Sequence, residues 1–518
     1  MMLAKVAHLF GIARAGLTLA RNGAFSPLDP RGLPPMPALA LRGLRLIEKP
    51  EGQRDLSKAI QKLGPSHIKL GQFLATRPDV VGKAIAAELS ELQDRLPPFS
   101  MDDARRTLNE DFGDEAEALF GTLGEPIAAA SIAQVHKAEI EGRPMAVKIL
   151  RPAIDRIAAR DFRMFYTGAH LAQALDPEMQ RLRIVDVIAD QERVARFEMD
   201  LRMEAAAIEE IRKNTAEDPG FRVPHVDWRR SSKRVLTTEW IDGVKLTDFD
   251  ALEAAGHDRI QLADSVMQSF LRHAMRDGVF HADMHPGNLF VEPDGTIVAI
   301  DFGIIGRLNP RERRFLAEIL WGYIKQDYRR AAEVHFEAGY VPSHHSVDDF
   351  AQALRAIGTP ILDASASDIS MGRLLTQLFE VTELFDMQTR TELILLQKTM
   401  VVVEGLSREL NPSFNMWKTS EPVIGEWIAR NLGPAGQLGK AAEAAGALGT
   451  FVGRIPELVT QAEDIAERLH GMSRDGLRLD AETAEKVAAA NRKASCWQTI
   501  ALWVGAISLV FIAIGGLG

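Results

Sequence analysis

The chain has 518 residues, 46% hydrophobic and 25% charged, a globular balance at a length beyond one simple domain. A formal net charge of -10 lacks the basic surplus of a phosphate-backbone binder, so no nucleic-acid partner is expected. The single cysteine, Cys496, leaves no intramolecular disulfide and no four-cysteine zinc site, and suits a reducing compartment.

Residues 1–50 open the chain with a basic bias: up to Arg45 there are six basic residues, Lys5, Arg14, Arg21, Arg31, Arg42 and Arg45, against one acid, Asp29. "LAKVAHLFGIARAGLTLA" spaces its apolar residues as a helix does. It reads as an interfacial membrane helix, a transit peptide, or a helix that packs on the domain. Proline-rich joints at 25–38 and 95–100 then bracket a helical extension, residues 51–117, broken at Gly64-Pro65 and at Pro78.

From about residue 118 to 245 short β-prone runs predict a small lobe. "AAASIAQVHKAEI" and "PMAVKIL" are joined by "EGRP" as a hairpin, a charged helical stretch follows at 155–213, and "KRVLTTEWIDG" reads as a strand ending in a turn. Residues 246–430 are predicted mostly helical, and 431–493 form a helical linker. The segment 494–518 carries no charge, is long enough to span a bilayer, and follows Lys486, Arg492 and Lys493. It is expected to be a single membrane anchor with the folded part on the cytoplasmic side; a buried core helix is the alternative.

The chemistry concentrates in "FHADMHPGNLFVEPDGTIVAIDFG", residues 280–303. A metal site on His281, Asp283 and His285 would need those residues on one strand face, yet Pro286-Gly287-Asn288 is turn chemistry. Phosphoryl transfer accounts for more of the stretch. Asp283 and Asn288 have the D-x-x-x-x-N spacing of a kinase catalytic loop, and two short strands around Asp294-Gly295 deliver Asp301 in "DFG". Asp283 is the expected catalytic group, and Asn288 and Asp301 the expected magnesium ligands.

The same chemistry asks for upstream parts. Lys148 of "MAVK" is placed on a strand to meet ATP phosphates. Within "FEMDLRMEAAAIEEI", read as one helix, Asp200 and Glu204 share a face and Glu198 points away, so Glu204 is the expected partner of Lys148. Glu239, Trp240 and Ile241 are the expected hinge, holding adenine through backbone groups. The phosphate loop, Ile127, Ala128, Ala129, Ala130, Ser131, Ile132, Ala133, Gln134 and Val135, holds alanines and no glycine, so it must cradle a nucleotide differently from a glycine-rich loop.

With "KLGQ" (69–72), "RPD" (77–79), "AAASIAQVH", "AVK", the acids at 198–204, "HADMHPGN" and "DFGIIGRL", the chain over residues 55–430 resembles the UbiB-like, aarF-domain atypical kinases of ubiquinone biosynthesis. The resemblance implies an α+β, two-lobed, kinase-like fold whose N-terminal extension covers the site of a protein substrate. It implies that Lys69 and Gln72 reach into the pocket with Glu198 and Asp200 supporting them. ATP and Mg2+ are the implied cofactors, with slow hydrolysis in preference to protein phosphorylation. Implied partners are membrane lipid, isoprenoid quinone precursors and other ubiquinone-biosynthesis enzymes, at the cell inner membrane. Rival readings are a small-molecule phosphotransferase, which shares the H-x-D-x-H-x-x-N loop, and a nucleotide-gated scaffold.

Overall fold

A computed structural model describes residues 11–22 and 42–43 in part, most of 55–100, and 101–433 except 176–182, 364–380 and scattered positions from 382 to 390. The expected anchor at 494–518, most of the linker at 431–493 and the "RPD" motif lie outside the described residues. Among those described, no helix is long and apolar enough to cross a membrane. Residues 1–428 form one compact unit; of the second, 429–518, only the first five residues are described.

The extension contains α1 (Leu56–Leu63), α2 (Pro65–Ala75) and α3 (Lys83–Ser90), with α1 and α2 divided at Gly64. They close over Leu56, Ile60, Ile68, Leu89 and Leu92. Gly71 makes this possible, because a Cβ there would lie 2.8 Å from Leu92 Cδ1 and 3.3 Å from Ile60 Cδ1. The described part of the basic N-terminal segment is helical. A Cβ on Gly11 would meet Met164 at 2.8 Å, so that segment packs on the domain along at least this face.

The small lobe begins with helices α4 (Met101–Phe112) and α5 (Ala116–Phe120), followed by β1 (Thr122–Ala129), β2 (Ala133–Ile140) and β3 (Arg143–Leu150). With β5 (Val235–Glu239) the strands form an antiparallel sheet in the order β1-β2-β3-β5. The β2–β3 turn is the expected hairpin, with Glu141 and Gly142 at φ 53° and 73°, as a two-residue turn of that twist requires. Ala104, Leu108, Leu119 and Phe120 bury against Val147, Ile149 and Val235, so the helices at 101–120 belong to the core of this lobe and not to the extension.

After β3 come α6 (Ile154–Leu175), α7 (Ile184–Glu198), which packs on α6, and α8 (Leu201–Asn214), which packs on β5. The run read as one helix is two. The chain leaves α7 at Met199, and Asp200 caps α8 by accepting from the Arg202 amide at 3.2 Å. Asp200 and Glu204 therefore do not share a helix face, because Asp200 stands outside the helix with extended backbone.

The larger lobe starts near β4 (Phe221–Arg222) and β6 (Val244–Lys245), with α9 (Phe249–Ala254) and α10 (Arg259–Arg272) beyond. Short strands β7 (Val279–His281), β8 (Leu289–Val291), β9 (Ile297–Ala299) and β10 (Ile305–Arg307) follow. They make a β4-β9-β8-β6 sheet and a β7-β10 ladder. Helices α11 (Pro310–Ile324), α12 (Tyr328–Ala338), α13 (Val347–Asp363), α14 (Thr391–Leu410) and α15 (Met416–Leu432) complete it. Its core joins Phe270, Phe280 and Leu289 to Leu396, Val403 and Leu406 of α14.

Candidate active site

Strand periodicity aims Lys148 into the cleft. Val147 and Ile149 turn to the α4–α5 side, so the residue between them must face the opposite way. Helical periodicity does the same for Glu204, which shares the buried face of α8 with Leu201, Ala205, Ile208 and Ile211. The two side chains meet: Lys148 Nζ donates to Glu204 Oε1 at 2.8 Å and Oε2 at 3.0 Å. It also donates to Asp301 Oδ1 at 3.1 Å, drawing together residues 56 and 153 positions apart in sequence.

The electrostatics follow from two carboxylates on one ammonium. Burial works against the charge on Lys148, but Asp301 and Glu204 outweigh it and raise the pKa of the amine. The Lys148 charge holds the Asp301 carboxyl down at about 2, against the opposing effect of burial. Glu204 is pushed up by burial, with Lys148 and the Phe302 amide opposing. At 2.8 Å from an ammonium, the pair remains ionised at neutral pH. Asp301 is half exposed and sits at φ +62°, a left-handed backbone held by the surrounding turn, with the Gly303 amide on its Oδ1.

The loop at 281–288 is organised by two histidines that bond its backbone. His281 is buried; its Nδ1 accepts from the Asp283 amide at 3.1 Å, so its Nε2 carries the proton and donates to Ile300 O at 3.3 Å. Burial lowers its pKa and keeps it neutral. Both ring nitrogens are occupied, which removes His281 as a metal ligand. His285 accepts from the Gly287 amide at 3.1 Å and caps the turn at Pro286–Asn288. Asn288 Nδ2 donates to Asp283 O at 3.3 Å, and its backbone carbonyl accepts from Ile300 at 2.9 Å. Among the described residues nothing donates to the carboxylate of Asp283 or to the side-chain oxygen of Asn288.

That donor set fits a magnesium ion on nucleotide phosphates: a half-exposed carboxylate, an amide oxygen and no soft ligand. The expected hinge offers less than three residues' worth of contacts. The Glu239 amide donates to His225 O at 2.9 Å and the Trp240 amide to Pro144 O at 3.3 Å. Among the described residues the Ile241 amide has no backbone partner, so of the three it is the one left to donate. The Glu239 carboxylate is held by Arg222, which bridges it to Glu292 across the two lobes. The Trp240 ring lies under Lys137 Nζ, 4.4 Å from its centroid.

The phosphate loop shrinks to Ala130–Ile132, because Ile127, Ala128 and Ala129 end β1 and Ala133, Gln134 and Val135 begin β2. Ser131 and Ala133 are buried, Ile127 is exposed, and Val135 pairs with Lys148 in register. The Gln134 side chain is engaged within the protein: it is buried and held by the backbone of Phe99 and by His136.

In the extension, Lys69 Nζ lies 3.3 Å from Glu198 Oε2, and the Lys69 carbonyl accepts from Gln191 at 3.4 Å. Glu198 therefore supports Lys69. Asp200 does not: it caps α8 and pairs with Arg202 at 2.7 Å. Gln72 is half-buried, one helical turn along from Lys69. Residues that sequence reasoning passed over are Arg151, Arg222 and Thr399, whose hydroxyl donates to Ala282 O at 3.0 Å. Each acts on backbone carbonyls or across distant segments, and no local spacing marks such contacts.

Residues 91–335 match the ABC1 atypical kinase-like domain and residues 354–415 the UbiB helical domain. The chain is 37% identical over 424 residues to a probable protein kinase UbiB of Marinobacter nauticus, covering 80% of this chain and 78% of that one. Against the protein of the same name in Azotobacter vinelandii it is 39% identical over 402 residues, covering 76% and 74%. Among solved structures, the complex of Rv3197 with erythromycin from Mycobacterium tuberculosis aligns with a TM-score of 0.51 at 24% identity. It covers 75% of this chain and 97% of that one, a likeness of two-lobed fold alone.

Proposed function

Because the chain belongs to the UbiB family of ABC1 atypical kinase-like proteins, we propose that it binds Mg-ATP between its lobes and supports ubiquinone biosynthesis. Slow ATP hydrolysis is coupled to the handling of lipid-soluble isoprenoid phenols. The observation that carries this reading is the Lys148–Glu204–Asp301 triad, set in one cleft with the unpartnered carboxylate of the Asp283 loop.

Bound Mg-ATP supplies the γ-phosphoryl group and the divalent charge that neutralises it. Asp301 and the Asn288 oxygen hold the metal, and Lys148, oriented by Glu204, holds phosphate oxygens. Asp283 orients the attacking hydroxyl or water and accepts its proton. The Ile241 amide and the adjoining carbonyls bind adenine, and the Ala130–Ile132 turn covers the phosphates.

Two features favour water or a small molecule as acceptor over a protein. The phosphate turn carries Cβ atoms where glycine would let backbone approach phosphate. The extension holds Lys69 against Glu198, three residues before α8 begins. The uncharged segment 494–518 is read as a single-pass inner-membrane anchor, with the preceding basic residues on the cytoplasmic side. It would bring the cleft to membrane-dissolved phenols and to the enzymes that modify them.

The test is phosphate release by the full chain with Mg2+, with and without anionic lipid and a ubiquinone-precursor phenol, beside Lys148→Arg and Asp283→Asn. Turnover that rises with lipid or phenol and vanishes in both variants supports the reading. ATP bound without turnover under every condition overturns it in favour of a phosphotransferase lacking its acceptor or a nucleotide-gated scaffold.

A further inference from the structure

The connection from the extension into the small lobe, residues 96–100, is bonded to the phosphate turn through Arg151 and to the start of β2, just beyond that turn, through Gln134. Arg151 follows β3 directly, and its amide donates to Ile132 O at 2.8 Å. Its guanidinium donates to Ala130 O through Nε at 3.1 Å and Nη2 at 2.8 Å, and to Pro97 O through Nη2 at 2.9 Å. It also lies 5.8 Å from the centre of the Phe99 ring. Gln134 accepts from the Phe99 amide at 2.8 Å, donates to the Phe99 carbonyl at 3.4 Å, and lies 2.9 Å from His136 Nε2. His136 Nδ1 lies 2.8 Å from Gly124 O. With Nδ1 donating there, Nε2 accepts from Gln134, and the chain of bonds runs from Phe99 to β1.

We propose that Arg151 and Gln134 are positioning residues that couple the extension to the phosphate turn, so that nucleotide binding and the seating of α2 depend on each other. This deepens the Mg-ATP reading of the same cleft and rests on it for its nucleotide arm. The electrostatics are specific. A carbonyl oxygen aimed at phosphate repels it, and the Arg151 guanidinium draws Ala130 O to itself, away from the nucleotide side. A planar guanidinium serves two carbonyls from one fixed fork, which an ammonium does less well. The far end of the connection is equally anchored: α3 contributes Leu89 to the core that encloses Gly71 of α2, and Lys69 stands two residues earlier. Reciprocity then requires that whatever fixes the turn also steadies α2.

Hydrogen exchange on the full chain tests this, in wild type, Arg151→Ala, Arg151→Lys and Gln134→Ala, alongside titration with a fluorescent Mg-ATP analogue. Without nucleotide, Arg151→Ala should speed exchange at 130–134 and in α2 together, by on the order of tenfold, and leave α14 unchanged. Arg151→Lys should recover part of the loss. With nucleotide, wild-type α2 should gain protection; in Arg151→Ala the Kd should rise about tenfold and α2 should not respond at saturation. Faster exchange in the turn alone, or an α2 response equal in all four chains, overturns the coupling. If Arg151→Ala speeds α14 as well, the chain is globally loosened, and Arg151→Lys and Gln134→Ala decide by the same criteria. A wild type that binds no nucleotide defeats the functional reading, and the nucleotide-free arm still judges the coupling.

Discussion

Lys148 and Glu204 are unequal partners, and truncating each should have a different cost and a different pH dependence. In Glu204→Gln the ammonium keeps Asp301 at 3.1 Å, so the loss is two charge-assisted bonds weakened to one neutral acceptor, about 2 kcal/mol. In Lys148→Met the burden falls on Glu204, whose side chain is 7% exposed and whose remaining donor among the described residues is the Phe302 amide. An orphaned buried carboxylate costs about 3–5 kcal/mol while ionised. It escapes by taking a proton, so its folded pKa rises further above the unfolded value of about 4.3. A folded state that binds the extra proton loses stability as pH rises through that window, at up to about 1.4 kcal/mol per pH unit. Urea unfolding from pH 5 to 8 should therefore show Lys148→Met falling behind wild type as pH rises, while Glu204→Gln stays parallel to it. A Lys148→Met deficit that is independent of pH, or smaller than that of Glu204→Gln, refutes the reasoning.

Three further outcomes follow from the same geometry. Asp283→Asn should bind Mg-ATP as wild type does but release phosphate at least about 100-fold more slowly, seen by titration beside a phosphate assay. His281→Phe should lower stability by about 2 kcal/mol, because the part-buried Asp283 amide and Ile300 carbonyl lose their partner; chemical denaturation measures it. Gly71→Val should cost about 1–3 kcal/mol by overpacking against Leu92 and Ile60, and should open residues 55–75 to limited proteolysis. An unchanged melting temperature and cleavage pattern would contradict the close packing of α2.

The cleft was legible where its chemistry is carried by side chains at fixed spacing. Asp283, Asn288 and Asp301 lie on a short loop and two adjoining strands, so local sequence preserves their order, and Lys148 and Glu204 show in strand and helix periodicity. The helix break at Met199 was signalled by Asp200, a residue type that caps helices, but the continuous run of helix formers around it concealed the stop. By sequence Gln134 falls within the phosphate loop, since nothing local says that a buried amide will seek the backbone of Phe99, 35 residues earlier. Arg151, Arg222 and Thr399 share that property: their partners are carbonyls or carboxylates brought near by the fold.

The Thr399 bond bears on how the protein can be taken apart. The residue lies in α14, within the span that matches the UbiB helical domain, while Ala282 belongs to the kinase-like match. Leu396, Val403 and Leu406 enter the same core as Phe270, Phe280 and Leu289. The two spans are thus separable in a sequence comparison and inseparable as solid pieces. A chimera joined between 335 and 354 would inherit the 281–288 loop from one parent and the wall behind that loop from the other. Such a graft has to be matched at Thr399 and along the inner side of α14 before any difference in activity can be credited to either parent.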